Sequence, residues 1–532
     1  MMVSTGDSPS VVNDVSDTAL ASNVSVAVIG AGTMGAGIAQ VAAAAGHRVI
    51  IFDCEDGAAI SAIESIDRGF DKLLLSGKRT RAQVDELLAR ICATADLSAI
   101  ADCGLVIEAI VESLGIKKQL LADIESVCGE STIIASNTSS ISISALAADL
   151  RRPEKLLGMH FFNPAAILKL VEVVSGAMTS HAVAVSVFAT ASAWGKQPIH
   201  VKSSPGFVVN RVARPYYAEA LRSLSEQVAS VDTIDILMRE CGGFKMGPLE
   251  LIDLIGQDVN AAVTESIYQS FYQDKKFMPS VLQADMVAAG LLGVKSGRGF
   301  YNYAAPRPAP VDPDHASSVD GSINVTLWGD FSPIPSLVSC FNQAGILFEH
   351  PDPNGCEIPT IICGDISIRL TDGRTANRVV YEEDIDKVVL LDYAADYCAA
   401  SYFGLSYSSA LDENDKGRVI RLFRGLGKNV LLLKDVPGMQ VMRTISMLIN
   451  EAYDAVNQGV CTLDAVDVAM KAGVAYPRGP IAWGHLIGVA YIVRVLTNIK
   501  SGYGEERYRI SPLLMDEWYR LRLVMPSTAD LL

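Results

Sequence analysis

The stretch that most constrains the fold runs from Val24 to Asp53. Residues 24–29 (VSVAVI) are a short, β-branched run, and Gly30-Ala31-Gly32-Thr33-Met34-Gly35 follows directly. Residues 38–45 are rich in alanine and read as a helix, and residues 47–53 (HRVIIFD) read as a second strand ending in an acid. Strand, glycine turn, helix, strand and acid in this order describe a βαβ unit that holds a dinucleotide. Gly30 permits the tight turn, Gly32 lets a pyrophosphate approach the backbone at a helix N-terminus, and Gly35 lets helix and strand pack closely. Thr33 and Met34 complete the loop and are expected at the cofactor with it. Asp53, 18 residues after Gly35 (53 − 35), can accept hydrogen bonds from ribose hydroxyls. A carboxylate there repels a 2′-phosphate, so the expected cofactor is NAD rather than NADP.

A second stretch, GMHFFNPAAILKLVE at 158–172, sets His160 beside an Asn163-Pro164 turn and places Glu172 in an apolar, strand-like run. An imidazole titrates near neutrality and can take and return one proton per turnover. A carboxylate on its far nitrogen would fix the tautomer and stabilise the imidazolium. Twelve residues separate the two, which suits adjacent strands. Alone, such a pair reads as a buried histidine beside a salt-bridged glutamate; a dinucleotide unit upstream makes a catalytic base the better reading.

Between these stretches, residues 59–90 read as amphipathic helices carrying Lys72, Lys78 and Arg79, which taken singly are a solvated face. Residues 105–109 (LVIEA) are a buried strand leading to Glu112, with Lys117 and Lys118 starting the next helix. Residues 132–135 are another strand that runs into Ser136-Asn137-Thr138-Ser139-Ser140, small polar residues placed to line the crevice at a strand's carboxyl end or to cap a helix. After a last strand (QPIHVK) and Ser204-Pro205-Gly206-Phe207, residues 208–303 are helical in period, with Asn210-Arg211 at the start of the first long helix and KSGRGFY at 295–301 closing the unit. Residues 304–322, rich in Pro, Asp and Ser, read as a linker.

The second half repeats part of the first without a gap. Gly195-Lys196 recurs as Gly427-Lys428, Pro205-Gly206 as Pro437-Gly438, Arg211 as Arg443, Glu219 as Glu451, Asp235 as Asp467 and Gly247-Pro248 as Gly479-Pro480, each at an offset of 232 (443 − 211). A duplicated helical domain is expected, one copy packing on the other as two subunits would. Residues 323–430 have β-like runs but no glycine loop, no SNTSS string and no HFFNP, and Met442 stands at the position of Asn210. The expected domains are therefore a leader (1–22), a Rossmann domain (23–203), a helical domain (204–303), a linker (304–322), a reduced Rossmann-like domain without a dinucleotide site (323–430) and a second helical domain (431–532). The fold class is α/β Rossmann followed by α-helical, then the same pair in reduced form.

The net charge of −16 over 532 residues argues against a nucleic-acid partner. Ten cysteines without a CxxC pair point to a reducing cytoplasm, and no metal-ligand spacing is present. Residues 18–46 carry no charge, yet regular glycines and an acidic flank argue against a membrane helix or signal peptide.

The glycine loop, SNTSS at 136–140, HFFNP at 160–164, LVEV at 170–173 and PGFVVNR at 205–211 together resemble the 3-hydroxyacyl-CoA dehydrogenase family over residues 24–303, and more loosely over the second helical domain. WGKQP at 194–198, NRVARPYY at 210–217, GPLELIDLIGQDVN at 247–260 and GEERYR at 504–509 resemble its two-unit bacterial form of phenylacetate catabolism, the 3-hydroxyadipyl-CoA type. The resemblance implies that His160 is the base and Glu172 its partner, and that Ser139 and Asn210 contact the substrate oxygens. It places Glu112, Lys117, Asn137, Asn163 and Lys295 at the NAD, Asn163 near the substrate as well. Gly69 and Ser76 stand where the family often carries a serine and a lysine for coenzyme A, leaving Lys72 or Lys78 for its phosphates. It implies (3S)-3-hydroxyadipyl-CoA as substrate, with 3-hydroxybutyryl-CoA as the alternative, and a possible homo-oligomer in which the repeat partly replaces a dimer. A chain ending in a carboxylate needs a cation, and Arg211 and Arg214 are the candidates, structural ion pairs being the alternative. A β-hydroxyacid dehydrogenase of the 6-phosphogluconate type would use a lysine base, against the HFFNP histidine. A non-catalytic NAD-binding structural or sensor protein would not need the full set of Ser139, His160, Glu172 and Asn210.

Overall fold

A parallel sheet covered on both faces needs strands that are apolar throughout, and the early strand segments of this chain are of that kind. In the computed structural model, which describes residues 19–305, 325–353 and 358–524, they become β1 (Val26–Ile29), β2 (Val49–Phe52), β3 (Ile91–Thr94), β4 (Leu105–Glu108), β5 (Ile133–Ser136), β6 (Leu156–Phe161), β7 (Leu170–Ser175) and β8 (Gln197–Lys202). β1, β4, β5 and β6 are buried at every position. The chain falls into two units, residues 1–207 and 208–532. The expected leader and linker lie almost wholly outside the described residues.

In the N-terminal unit the strand order is β3-β2-β1-β4-β5-β6-β7-β8. Every neighbouring pair is parallel except β6 with β7. The order reverses between β1 and β4, and in such sheets ligands bind at the carboxyl ends beside that switch. The uncharged stretch 18–46 supplies β1 and the alanine-rich helix Thr33–Ala44, whose small side chains sit in the unit's core. Among the described residues no single helix is long and apolar enough to cross a membrane.

The C-terminal unit begins with helices only. The helix expected to start at Asn210 is two helices, Val209–Val212 and Arg214–Ser225. Pro215 accounts for the break, since it lacks an N–H for the preceding turn and is well placed at a helix start. A second sheet follows: β9 (Val325–Trp328), β10 (Phe348–Glu349), β11 (Thr360–Cys363), β12 (Ile366–Leu370), β13 (Val388–Leu391), β14 (Tyr402–Tyr407) and β15 (Asn429–Leu432), in the order β10-β9-β11-β12-β13-β14-β15. β9, the helix Pro335–Gln343 and β10 keep a parallel βαβ unit, whereas β11 is antiparallel to both its neighbours, so a β11–β12 hairpin stands where a helix joins β4 to β5 in the first sheet.

The duplication reaches further upstream than residue identities indicate. Leu170–Ser175 and Tyr402–Tyr407, and the helices His181–Ala193 and Glu413–Gly425, start and end 232 residues apart (402 − 170; 413 − 181). β13 is antiparallel to β14 and β14 parallel to β15, as in β6, β7 and β8. Lys196 donates to the carbonyls of Ala165 and Leu168, and Lys428 to those of Cys398 and Ala400, so the same lysine ties down the same loop in both copies.

Within the C-terminal unit, helices Arg214–Ser225 and Val441–Asn457 pack together. Their contacts are reciprocal. Arg211 Nε donates to Glu451 Oε1 at 2.7 Å, and Arg443 Nε lies 3.2 Å from Glu219 Oε2. Arg211 stands over the Phe271 ring and Arg443 over the Tyr503 ring, which is 232 residues on (503 − 271). Both arginines are fully buried. Each copy thus presents one surface to the other, as in a two-fold symmetric dimer.

Candidate active site

The glycine loop has the geometry its spacing predicts. Gly30 has φ +104°, and a Cβ there would fall 2.5 Å from the Ala109 carbonyl oxygen. Gly32 differs: nothing lies within 4 Å of where its Cβ would stand, and no side chain caps the helix that begins at Thr33. Open space over an uncapped helix N-terminus suits a phosphate. Asp53, at the end of β2, accepts the N–H of Ala31 at 2.7 Å and of Glu55 at 3.0 Å, which fixes its carboxylate beside the loop. Thr33 is exposed, while Met34 packs on the core and supports the loop from below. A cleft of about 470 Å³ lies over this loop, bordered by Gly32, Thr33, Ser61, Ser65 and Asn163. These donors and this space fit the pyrophosphate and ribose of NAD.

His160 on β6 faces Glu172 on β7 in the antiparallel register. Its Nδ1 lies 2.6 Å from Glu172 Oε2, and both side chains are buried. The carboxylate accepts from Nδ1–H, which leaves Nε2 as the basic nitrogen. Phe162 and Phe207 flank the ring, with centroids 4.4 and 5.8 Å away. Asn137 Oδ1 accepts the Phe161 N–H at 2.8 Å. Asn137, expected at the cofactor, also braces the strand end that carries His160.

The carboxyl ends of β4 and β5 hold a charge relay of three side chains. Glu108 is fully buried and takes the Lys117 ammonium at 2.9 and 2.8 Å; Lys117 also stands 3.4 Å from Glu112. Glu112 accepts the Thr138 hydroxyl at 2.6 Å, the Ser139 N–H at 3.0 Å and the Ser140 N–H at 3.2 Å. Partial burial would raise the Glu112 pKa, but the Thr138 hydroxyl, the Lys117 ammonium and the Ser139 N–H outweigh it and hold the carboxyl below its usual range. Lys117, expected to touch the cofactor, is 1% exposed and is paired with Glu108 and Glu112. Glu108 was not expected at all. Its one signal is an acid inside the otherwise apolar strand LVIE.

Lys72 and Lys78 are exposed and have no ion pair among the described residues. Asn210, Arg211, Arg214 and Lys295 belong to the C-terminal unit. Lys295 pairs with Asp258 at 2.5 Å. Arg211 is spent on Glu451, Gln458 and Asp454, the structural alternative rather than a ligand for an acyl chain. Arg214 has no carboxylate partner among the described residues; its Nε donates to the Asn210 carbonyl at 2.8 Å and its Nη1 to the Thr264 hydroxyl at 3.1 Å.

In the second copy, Asp392, the residue after β13, and Gly404 on β14 stand at the positions of His160 and Glu172 (392 − 160; 404 − 172). Asp392 is fully buried and accepts the N–H groups of Gln440, Val441 and Met442 at 2.8–3.0 Å. A base has been replaced by a carboxylate that caps the helix beginning at Val441.

Models of known families match both halves of the chain. Residues 25–204 match the 3-hydroxyacyl-CoA dehydrogenase NAD binding domain, residues 206–303 and 438–521 the C-terminal domain of the same family, and residues 368–437 the 3-hydroxybutyryl-CoA dehydrogenase reduced Rossmann-fold domain. The chain belongs to the 3-hydroxyacyl-CoA dehydrogenase family. It is 42% identical to the 3-hydroxyadipyl-CoA dehydrogenase of Escherichia coli K12 over 92% of this chain and 96% of that one. It is 42% identical to the 3-hydroxybutyryl-CoA dehydrogenase of Clostridioides difficile over 52% of this chain and 99% of the other. Among solved structures, the 3-hydroxybutyryl-CoA dehydrogenase of E. coli K12 is 40% identical, with a TM-score of 0.85 over 94% of this chain and 99% of that one. The chain is thus an NAD-dependent dehydrogenase that oxidises a 3-hydroxyacyl-CoA to the 3-oxoacyl-CoA.

Proposed function

We propose that the substrates are short, unbranched (3S)-3-hydroxyacyl-CoA thioesters, 3-hydroxybutyryl-CoA among them, with His160 as the base. The buried His160–Glu172 pair carries this reading. Nε2 takes the proton of the 3-hydroxyl as C3 gives up its hydride, and Glu172 stabilises the resulting imidazolium. NAD, when bound, supplies the hydride acceptor. Ser139 and Asn210 donate to the substrate oxygens, where a fixed donor counts most. Phe162 and Phe207 keep water from the imidazole. Lys72 and Lys78 hold the coenzyme A phosphates, and Asn163 and Lys295 border the cofactor. Relatives named for the four-carbon substrate support the short chain. A second reading, 3-hydroxyadipyl-CoA, is supported by the relative named for it.

The test is turnover of 3-hydroxybutyryl-CoA with NAD by His160→Gln and Glu172→Gln. His160→Gln is expected to abolish turnover while NADH still binds, and Glu172→Gln to lower kcat about a hundredfold or more. Normal kcat in His160→Gln would end the mechanism.

A further inference from the structure

The C-terminal unit contains a cavity of about 370 Å³ whose lining belongs wholly to that unit. Two guanidinium groups line it, Arg214 on the helix Arg214–Ser225 and Arg507 in the turn Glu506–Tyr508. Each residue is 6% exposed, and neither has a carboxylate within ion-pairing distance among the described residues. The other cations of the wall are already paired: Arg222 with Glu505 and Glu226, and Lys276 with Glu451 and Asp454. Arg507 Nη2 donates to the Met278 carbonyl at 3.2 Å, while its Nε is buried without any hydrogen-bond partner. Arg214 uses Nε and Nη1 as described and rests on the Tyr217 ring at 4.8 Å; Nη2 has no protein acceptor among the described residues. Burial lowers the Arg214 pKa, opposed only by Tyr217 and Tyr476. Two buried cations are thus left over in a chain whose net charge is −16. Such charges are costly, and protein interiors avoid them unless a ligand completes the site.

The rest of the wall fits an anion with an apolar body. The helix Val281–Ala288 starts at the cavity: Ser280 and Val281 line it, and the first turn carries no acidic residue. The partial positive charge of that helix end adds to the two guanidinium groups. Leu221, Phe277 and Met278 supply apolar surface. The packing of one repeat on the other does not account for the two arginines. At the offset of 232, Arg214 becomes Ser446, and Arg507 answers to Lys275 (507 − 232), which is exposed. The related place buries neither charge, whereas Arg211 and Arg443, which join the repeats, are buried in both copies.

We propose that this cavity binds a short aliphatic dicarboxylate, its carboxylates on Arg214 and Arg507 and its methylene groups on the apolar wall. Two negative charges balance the two unpaired cations. A guanidinium holds a carboxylate through paired N–H groups, and Nη2 of Arg214 and Nε and Nη1 of Arg507 are the nitrogens with no protein acceptor among the described residues. The volume is in the range of small-molecule sites. The site draws on no residue of the N-terminal unit, so it stands or falls apart from the dehydrogenase reading.

The experiment is isothermal titration calorimetry of the full-length protein with succinate and glutarate at constant ionic strength, beside glutaramide and inorganic phosphate. One dicarboxylate per chain is expected to bind with a Kd of about 1 mM or tighter, and glutaramide, the uncharged diamide of glutarate, at least about tenfold more weakly. Arg214→Leu and Arg507→Met should each weaken the dicarboxylate by about tenfold or more. The comparison of acid with diamide needs no substitution, so it decides the matter even if a variant fails to fold. No binding of either dicarboxylate at about 10 mM, equal affinity for glutaramide, or an affinity that survives in both variants overturns the proposal. Phosphate binding more tightly than both dicarboxylates overturns the assignment of the ligand.

Discussion

Replacing Glu451 by Gln should cost the C-terminal unit far more than the same change at its repeat partner, Glu219. Glu451 is 2% exposed and receives two cations, Arg211 at 2.7 Å and Lys276 at 2.8 Å. Two cations face two carboxylates, because Asp454 completes the set. The substitution leaves both cations on Asp454. Removing one partner of a buried pair typically costs about 3–5 kcal/mol. Glu219 faces one arginine, and the Tyr508 hydroxyl, at 3.0 Å, stands where Lys276 does in the other copy. Arg443 also keeps Glu226 at 3.5 Å and the Tyr503 hydroxyl at 2.6 Å. Glu219→Gln therefore loses about 1.5–3 kcal/mol, the worth of hydrogen bonds to a charged group. The assay is urea unfolding followed by the fluorescence of Trp483, which is fully buried in this unit. With a slope of about 3 kcal/mol per molar, the Glu451→Gln midpoint should fall by about 1–1.7 M and the Glu219→Gln midpoint by about 0.5–1 M. Equal shifts, or a loss under about 1 kcal/mol at Glu451, would mean that water relaxes the network and that burial is not what sets its energy.

Two further outcomes follow from the geometry. NADH should bind at least about tenfold more tightly than NADPH in fluorescence titrations, because a 2′-phosphate would meet Asp53 beside the loop, and Asp53→Asn should narrow the gap; equal affinities would remove Asp53 from cofactor choice. Burial raises the Asp392 pKa to about 6 against the lowering effect of the Val441, Met442 and Gln440 N–H groups. The folded state therefore favours the protonated form: this contribution is fully present below about pH 4 and is lost as pH rises through about 6. Asp392→Asn should flatten the stability profile across that window in calorimetry, and an unchanged profile would assign the dependence elsewhere.

The parts of the site that lie in one local pattern were legible in the residues. The glycine loop and Asp53 are set by turn geometry, and His160 and Glu172 by the two-residue period of adjacent strands. Glu108 was not legible, since a carboxylate inside an apolar strand gains its meaning only when Lys117 is brought back over it from the following helix. Asn137 reads as a crevice residue by position, yet its oxygen goes to a neighbouring strand, which no local rule specifies. The repeat was traced from residue 195, where glycines and prolines recur; upstream, LVEVVS and YFGLSY share a period and a register but almost no identities. The pairing of Arg211 with Glu451 crosses 240 positions and depends on how two helices dock.

Carrying both halves of a two-fold pair on one polypeptide changes what a single substitution can do. In a dimer of identical chains every change is made twice, so an altered residue must suit both sides of the axis at once. Here the docking of one copy on the other is intramolecular, at an effective concentration set by the connecting chain and independent of dilution. Each copy can then drift alone: one holds Asn210 and the other Met442, one a lysine and the other a tyrosine against equivalent glutamates. A tether of this kind turns a symmetric partner into an asymmetric one, free to acquire a role that the first copy never had.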